Sequence, residues 1–102
     1  MSPRIYAHPE ASEITLPVLL GALSDATRLE MVHRLADGNE HDSLTLADDL
    51  PRSTLTYHTR ILREAGVTNT RAEGRACLIA LRRNDVETRF PGLLTALLAN
   101  LD

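Results

Sequence analysis

Apolar side chains recur at three- and four-residue intervals in four stretches of this chain, and between the third and fourth the interval shortens to two. The first spacing predicts helices with one buried stripe, and the second predicts strands. Leu16, Leu19, Leu20 and Leu23 predict a helix over residues 12–23, with Pro17 in its first turn. Leu29, Val32, Leu35 and Ala36, with Met31 at the margin, predict a second helix that Ser24 or Asp25 caps and that ends at Asp37-Gly38. After a polar connector over residues 39–43, Thr45-Leu46-Ala47-Asp48 has capping-box spacing, with Asp where Glu is usual, and opens a short helix. Pro51 disfavours helical geometry at Leu50 and so ends it.

The next segment, to Gly66, reads as one capped helix in which Ser53 caps the free amides and Gly66 supplies the left-handed stop. Leu55, His58, Thr59, Leu62 and Ala65 fall on its docking stripe, and Ser53, Thr56, Tyr57, Arg60 and Arg63 on the opposite face. Residues 67–71 and 75–81 then read as two strands joined through Ala72-Glu73-Gly74, with Cys77, Ile79 and Leu81 on the core face and Arg71 and Arg75 beside the tip. A last helix over residues 85–101 has Pro91 near its start and Phe90, Leu93, Leu94, Leu97, Leu98 and Leu101 as its stripe. Residues 1–11 hold two prolines and no period, which predicts a loose arm.

A short helix, a tight turn and a second helix with a polar outer face make a helix-turn-helix over residues 45–66, and the basic hairpin over 67–81 is placed as a wing. The fold class is therefore mainly α with a small β-hairpin (α+β), a winged helix-turn-helix in one domain over residues 1–102.

Charge sharpens that reading. The net charge of −3 hides an uneven distribution: residues 52–83 carry seven arginines against two glutamates, a local charge of +5, while the flanking segments are acidic. For a polyanion the local potential matters more than the total. Lysine is absent, and arginine's planar fork suits phosphate and guanine. An arginine-bearing, hydroxyl-rich helical face is usually only a solvated one, so its neighbours decide the matter. With the turn before it and the wing after it, double-stranded DNA is the expected partner. Ser53, Thr54, Thr56, Tyr57 and Arg60 are candidates to face base edges and nearby phosphates, and Arg52, Arg63, Arg71 and Arg75 to hold the backbone. The alternative is a winged-helix module that binds a protein partner without specific DNA recognition.

Aromatic content of 3% without tryptophan argues against a stacking platform for single strands. No apolar run is long enough for a bilayer and the N-terminus lacks a secretory pattern, so a cytoplasmic location and no membrane partner are expected. Neither a Ser-His-Asp spacing, a phosphate-binding glycine loop nor a carboxylate pair stands out, so an enzyme is not expected.

Four phrases together resemble the ArsR-type (ArsR/SmtB) winged-helix transcriptional repressors: Ala22-Leu23-Ser24-Asp25-Ala26-Thr27-Arg28-Leu29, Ser53-Thr54-Leu55-Thr56-Tyr57-His58, Leu62-Arg63-Glu64-Ala65-Gly66-Val67, and Arg71-Ala72-Glu73-Gly74-Arg75. The resemblance implies a bacterial homodimeric repressor that binds an inverted repeat on the nucleoid, its seam made by the first and last helices. Leu16, Leu19, Leu20, Leu23, Phe90, Leu93, Leu94, Leu97, Leu98 and Leu101 are then the candidate dimer interface, at residues 12–23 and 85–101. Two departures stand out. The turn at Leu50-Pro51-Arg52-Ser53 is about two residues shorter than is usual for the family, and Thr68, Asn69 and Thr70 make an unusually polar first wing strand.

The resemblance also raises metal sensing. The family's cysteine pair would lie in residues 45–50, which hold no cysteine, and its other common site needs a histidine within residues 84–102, which hold none. Neither a metal nor a cofactor is therefore expected. His33 and His58 read as hydrogen-bonded structural histidines, His41 with Glu40 and Asp42 lacks converging geometry, and His8 lies in the arm. Cys77, the single cysteine, reads as a small buried hydrophobe, with a redox role beside Arg75 as the alternative. An unknown small-molecule effector, for example an apolar ligand between the terminal helices, is left open.

Overall fold

The computed structural model describes residues 5–47 and 49–101. Pro17 lacks an amide and its ring clashes with the preceding turn, so no helix runs unbroken from residue 12. Instead Ala11–Glu13 forms a 3₁₀ turn, Ile14 drops into the core, and the helix α1 spans Leu16–Ala22 with Pro17 in its first turn. The helix α2 (Ala26–Leu35) starts at Asp25, whose carboxylate accepts the Arg28 amide at 3.1 Å. It ends two residues earlier than its pattern predicts, before Gly38 takes a left-handed φ of +83°. Its buried stripe is Arg28, Met31, Val32 and Leu35. Val32 and Leu35 are buried as the sequence reading has them, while Met31, expected at the margin, is fully buried and Leu29 half-buried.

The polar connector contains a short strand, β1 (His41–Asp42), and the predicted helix over residues 45–50 is replaced by a 3₁₀ turn at Ser43–Thr45, capped by Asp42 through the Leu44 amide at 3.0 Å. Asp48, and with it the expected capping box, lies outside the described residues. So few residues between a strand and a proline cannot repay helix nucleation. Their carbonyls bond elsewhere: Arg34 Nη1 donates to Thr45 O and Leu46 O at 3.3 and 3.1 Å.

The helix α3 (Arg52–Glu64) has Pro51 at its N-cap, so Ser53 lies inside the helix and does not cap it. At the other end Gly66 (φ +87°) closes a Schellman motif, with Val67 N–H on Leu62 O at 3.0 Å and Gly66 N–H on Arg63 O at 3.1 Å. A Cβ at Gly66 would also lie 2.5 Å from Ile14 Cγ1. The wing follows as β2 (Thr68–Glu73) and β3 (Ala76–Leu81), antiparallel with Thr70 opposite Ile79, and β1 pairs on the far side of β3 to give the order β1-β3-β2.

The predicted last helix is two, α4 (Arg83–Arg89) and α5 (Leu93–Ala99), broken at Phe90-Pro91-Gly92. Gly92 takes φ +84°, and the Glu87 carboxylate accepts the Gly92 and Thr95 amides at 2.9 and 3.1 Å. These amides hold Glu87 below the usual carboxylate range, led by the Gly92 bond. Leu19, Leu35, Leu46, Leu62, Ile79, Val86 and Leu94 join the helices and the sheet in one core.

The described part of the arm is tied down, contrary to its sequence reading; residues 1–4 lie outside the described residues. As an outer strand, β2 has an outward amide that needs a partner. His8 Nε2 accepts it from Thr70 at 2.9 Å, Arg82 Nη1 donates to Pro9 O at 2.9 Å, and Tyr6 lies under the Arg63 guanidinium at 5.1 Å.

Candidate nucleic-acid interface

The orientation of α3 is set from beneath. His58, on its buried face, accepts at Nδ1 from Arg28 Nη1 (3.0 Å), while Arg28 Nε donates to Ala22 O at 2.6 Å. Arginine only donates, so this network assigns the imidazole hydrogen to Nε2. Asp25, 4.0 Å from the same Nδ1, sits at the start of α2 with its carboxyl held below the usual range, first by the Arg28 amide. One buried guanidinium thus joins the end of α1, the start of α2 and the middle of α3. The sequence reading placed His58 correctly as structural but missed Arg28, a polar residue inside an apolar stripe.

On the outer face Arg52, Ser53, Thr56, Tyr57 and Arg60 are exposed and Thr54 is half-buried. No carboxylate occurs from Arg52 to Arg63, and none offsets the positive end of the helix in its first turn. The expected backbone-holding arginines differ in their surroundings. Arg52 and Arg75 flank a groove between α3 and the start of β3. Arg63 is half-buried against Tyr6, and its Nε has no partner among the described residues. Arg71 is bidentate to Glu40 at 2.7 and 2.9 Å and 3.5 Å from Glu73, which raises its pKa and lowers that of Glu40. Both partners are exposed, so the pair adds little stability, but it offsets the charge of one predicted phosphate contact.

Of the candidate seam, Leu16 and Leu20 are exposed, Leu19, Leu23 and Leu94 are buried within their own chain, and Phe90, Leu93, Leu97, Leu98 and Leu101 are half-buried. Val18, which lies off the leucine stripe, is 56% exposed and was not singled out by the pattern.

Among the described residues no three His, Cys, Asp or Glu side chains are grouped to hold a metal ion. His41 bonds Asp37 through Nε2 at 2.9 and 3.0 Å, and the Asp37 carboxyl is held low, first by the Asn39 amide. The residues do not fit the family's metal sites. Thr68 and Thr70, the polar departure in β2, are buried, with neither Oγ1 partnered among the described residues. No helix among them is long and apolar enough to cross a membrane.

No protein-family model matches the chain. It is 35% identical over 79 residues to the uncharacterized HTH-type transcriptional regulator YceK of Bacillus subtilis (strain 168), covering 74% of this chain and 79% of that protein. The crystal structure of an ArsR family transcriptional regulator superposes with a TM-score of 0.68 at 23% identity, over 79% of this chain and 90% of the other. The transcriptional repressor BigR from Xylella fastidiosa superposes with a TM-score of 0.58 at 26% identity, over 74% and 85%.

Proposed function

Because the chain belongs to the ArsR-type family of winged helix-turn-helix transcriptional regulators, we propose that it acts as a homodimeric repressor whose two α3 helices read an inverted repeat. It is a DNA-binding regulator rather than an enzyme. The observation that carries the finer reading is the outer face of α3: exposed donors from Arg52 to Arg60 without a carboxylate, on a helix fixed from below by Arg28. Ser53, Thr54, Thr56, Tyr57 and Arg60 meet base edges and adjacent phosphates. Arg52, Arg63 and Arg75 hold the backbone, with Arg71 in support because Glu40 offsets its charge.

The partner in the seam is a second copy. Leu16, Val18 and Leu20 leave three large apolar side chains of one short helix exposed, 40, 56 and 45% respectively, and the half-buried leucines of α5 continue the apolar surface. Such a dimer works in the cytoplasm, on nucleoid DNA.

The test is selection of genomic fragments by the purified protein near physiological salt. Enrichment of an inverted repeat with half-sites about 34 Å apart supports the dimeric reading. A folded, dimeric protein that enriches nothing would overturn it in favour of a protein-binding module.

A further inference from the structure

Between α3, the start of β3 and the arm lies a groove of about 470 Å³, open to solvent. Arg52 and Arg75 stand at its rim and Arg63 in its wall, against one carboxylate among the described lining residues, Asp42, one oxygen of which accepts the Leu44 amide at 3.0 Å. Tyr6, Leu44 (50% exposed), Leu55 (4% exposed) and Ala76 supply the groove's apolar surface, beside the hydroxyls of Ser43, Thr56 and Thr59.

We propose that this groove binds a small organic carboxylate with a flat apolar body, its charge met by the arginines and its body covered by Tyr6, Leu44 and Leu55. Three observations support this occupant. Arg63 lines the groove together with Arg52 and Arg75, three guanidinium groups against one carboxylate, Asp42, among the described lining residues. The planar guanidinium matches a carboxylate in shape. The volume falls in the range of about 300–1,000 Å³ usual for small-molecule sites, more than a lone phosphate needs. Leu55 and Thr59 are buried where Arg52 and Thr56 are exposed, so the groove runs inward from the outer face of α3. The wall is preformed, since His8 and Pro9 fix the arm that carries Tyr6. Arg52 and Thr56 also belong to the face assigned to DNA, so the ligand opposes DNA binding; this consequence alone rests on the DNA-binding reading.

Cys77, half-buried in the same groove and the only cysteine, is the reporter. Its labelling by a thiol reagent is followed without DNA in the full chain, against 2-naphthoate, the uncharged 2-naphthamide and inorganic phosphate. The expected result is saturable protection by 2-naphthoate, about tenfold at ten times its dissociation constant, matched by calorimetry. Arg63→Gln should abolish it, and the exposed-rim variant Arg75→Gln should weaken it should Arg63→Gln not fold. No protection by 2-naphthoate overturns the proposal. Equal protection by phosphate reduces the groove to an anion seat, and equal protection by the amide to an apolar cleft; either also overturns it. A parallel titration of the DNA complex should show 2-naphthoate weakening DNA binding. Protection without that loss overturns the coupling, and failure of the DNA selection leaves the labelling result intact.

Discussion

Arg28→Met removes the guanidinium beneath α3 but keeps an unbranched stem of similar length. Arg28 is only 9% exposed, and its two bonds, 2.6 Å to Ala22 O and 3.0 Å to His58 Nδ1, have no replacement in the variant. Hydrogen bonds from a charged donor contribute about 1.5–3 kcal/mol each, and an acceptor left unmet is destabilising on the same scale. Relief of the buried charge offsets part of the loss, so the net effect expected is about 3 kcal/mol. Against a total stability of about 5–15 kcal/mol this is large, and in a chain of this size it lowers Tm by roughly 12 °C. Urea and thermal unfolding at neutral pH measure it. His58→Leu combined with Arg28→Met should be less destabilised than the sum of the single changes, because the second substitution removes an acceptor that the first left unpaired. A loss below about 1 kcal/mol for Arg28→Met, or strict additivity, would refute the reasoning.

Three further outcomes are expected. Arg60→Ala should weaken operator binding by about 1–3 kcal/mol and relax specificity at one base pair, whereas Arg75→Ala should weaken all sequences alike; equal losses for both on every sequence would contradict that division of roles. Burial and the nearby charges of Arg82 and Arg63 hold the His8 pKa below its ordinary 6.5. A depressed histidine contributes stability present above the unfolded pKa and lost as pH falls below 6.5 through the folded value, so protection of the Thr70 amide from hydrogen exchange, corrected for intrinsic rate, should decline in that window and His8→Ala should remove the pH dependence. Leu20→Glu, on the exposed face of α1, should shift sedimentation from dimer to monomer while leaving the melting curve of the isolated chain cooperative.

What could be read from the residues depended on how local the determining interactions were. The body of α3 was legible because Leu55, Leu62 and the stop at Gly66 act within a few residues of one another. The arm was not, because its order comes from Thr70 and Arg82, more than sixty positions away, and no periodicity records such bonds. The break between α4 and α5 was written as Pro91-Gly92, yet the apolar spacing from Phe90 to Leu101 continues across it and masked the kink. All nine candidate DNA residues were named from sequence, but the ion pair that occupies Arg71 and the ring beneath Arg63 depend on distant partners. The groove, made from four separated segments, left no mark in the pattern.

Val67 carries one consequence for how the protein adapts to DNA. Its amide donates to Leu62 O at 3.0 Å at the end of α3, and its carbonyl accepts the Arg82 amide at 2.9 Å where β3 leaves the wing. A single residue therefore ties the end of α3 to the base of the hairpin, where β2 begins and β3 ends. Within each half of the proposed dimer this joint holds the base of the wing against α3. Any tolerance for operators of different spacing falls on the seam between the two copies, so substitutions in α1 and α5, far from the bases, are the ones that should change which spacings the protein accepts.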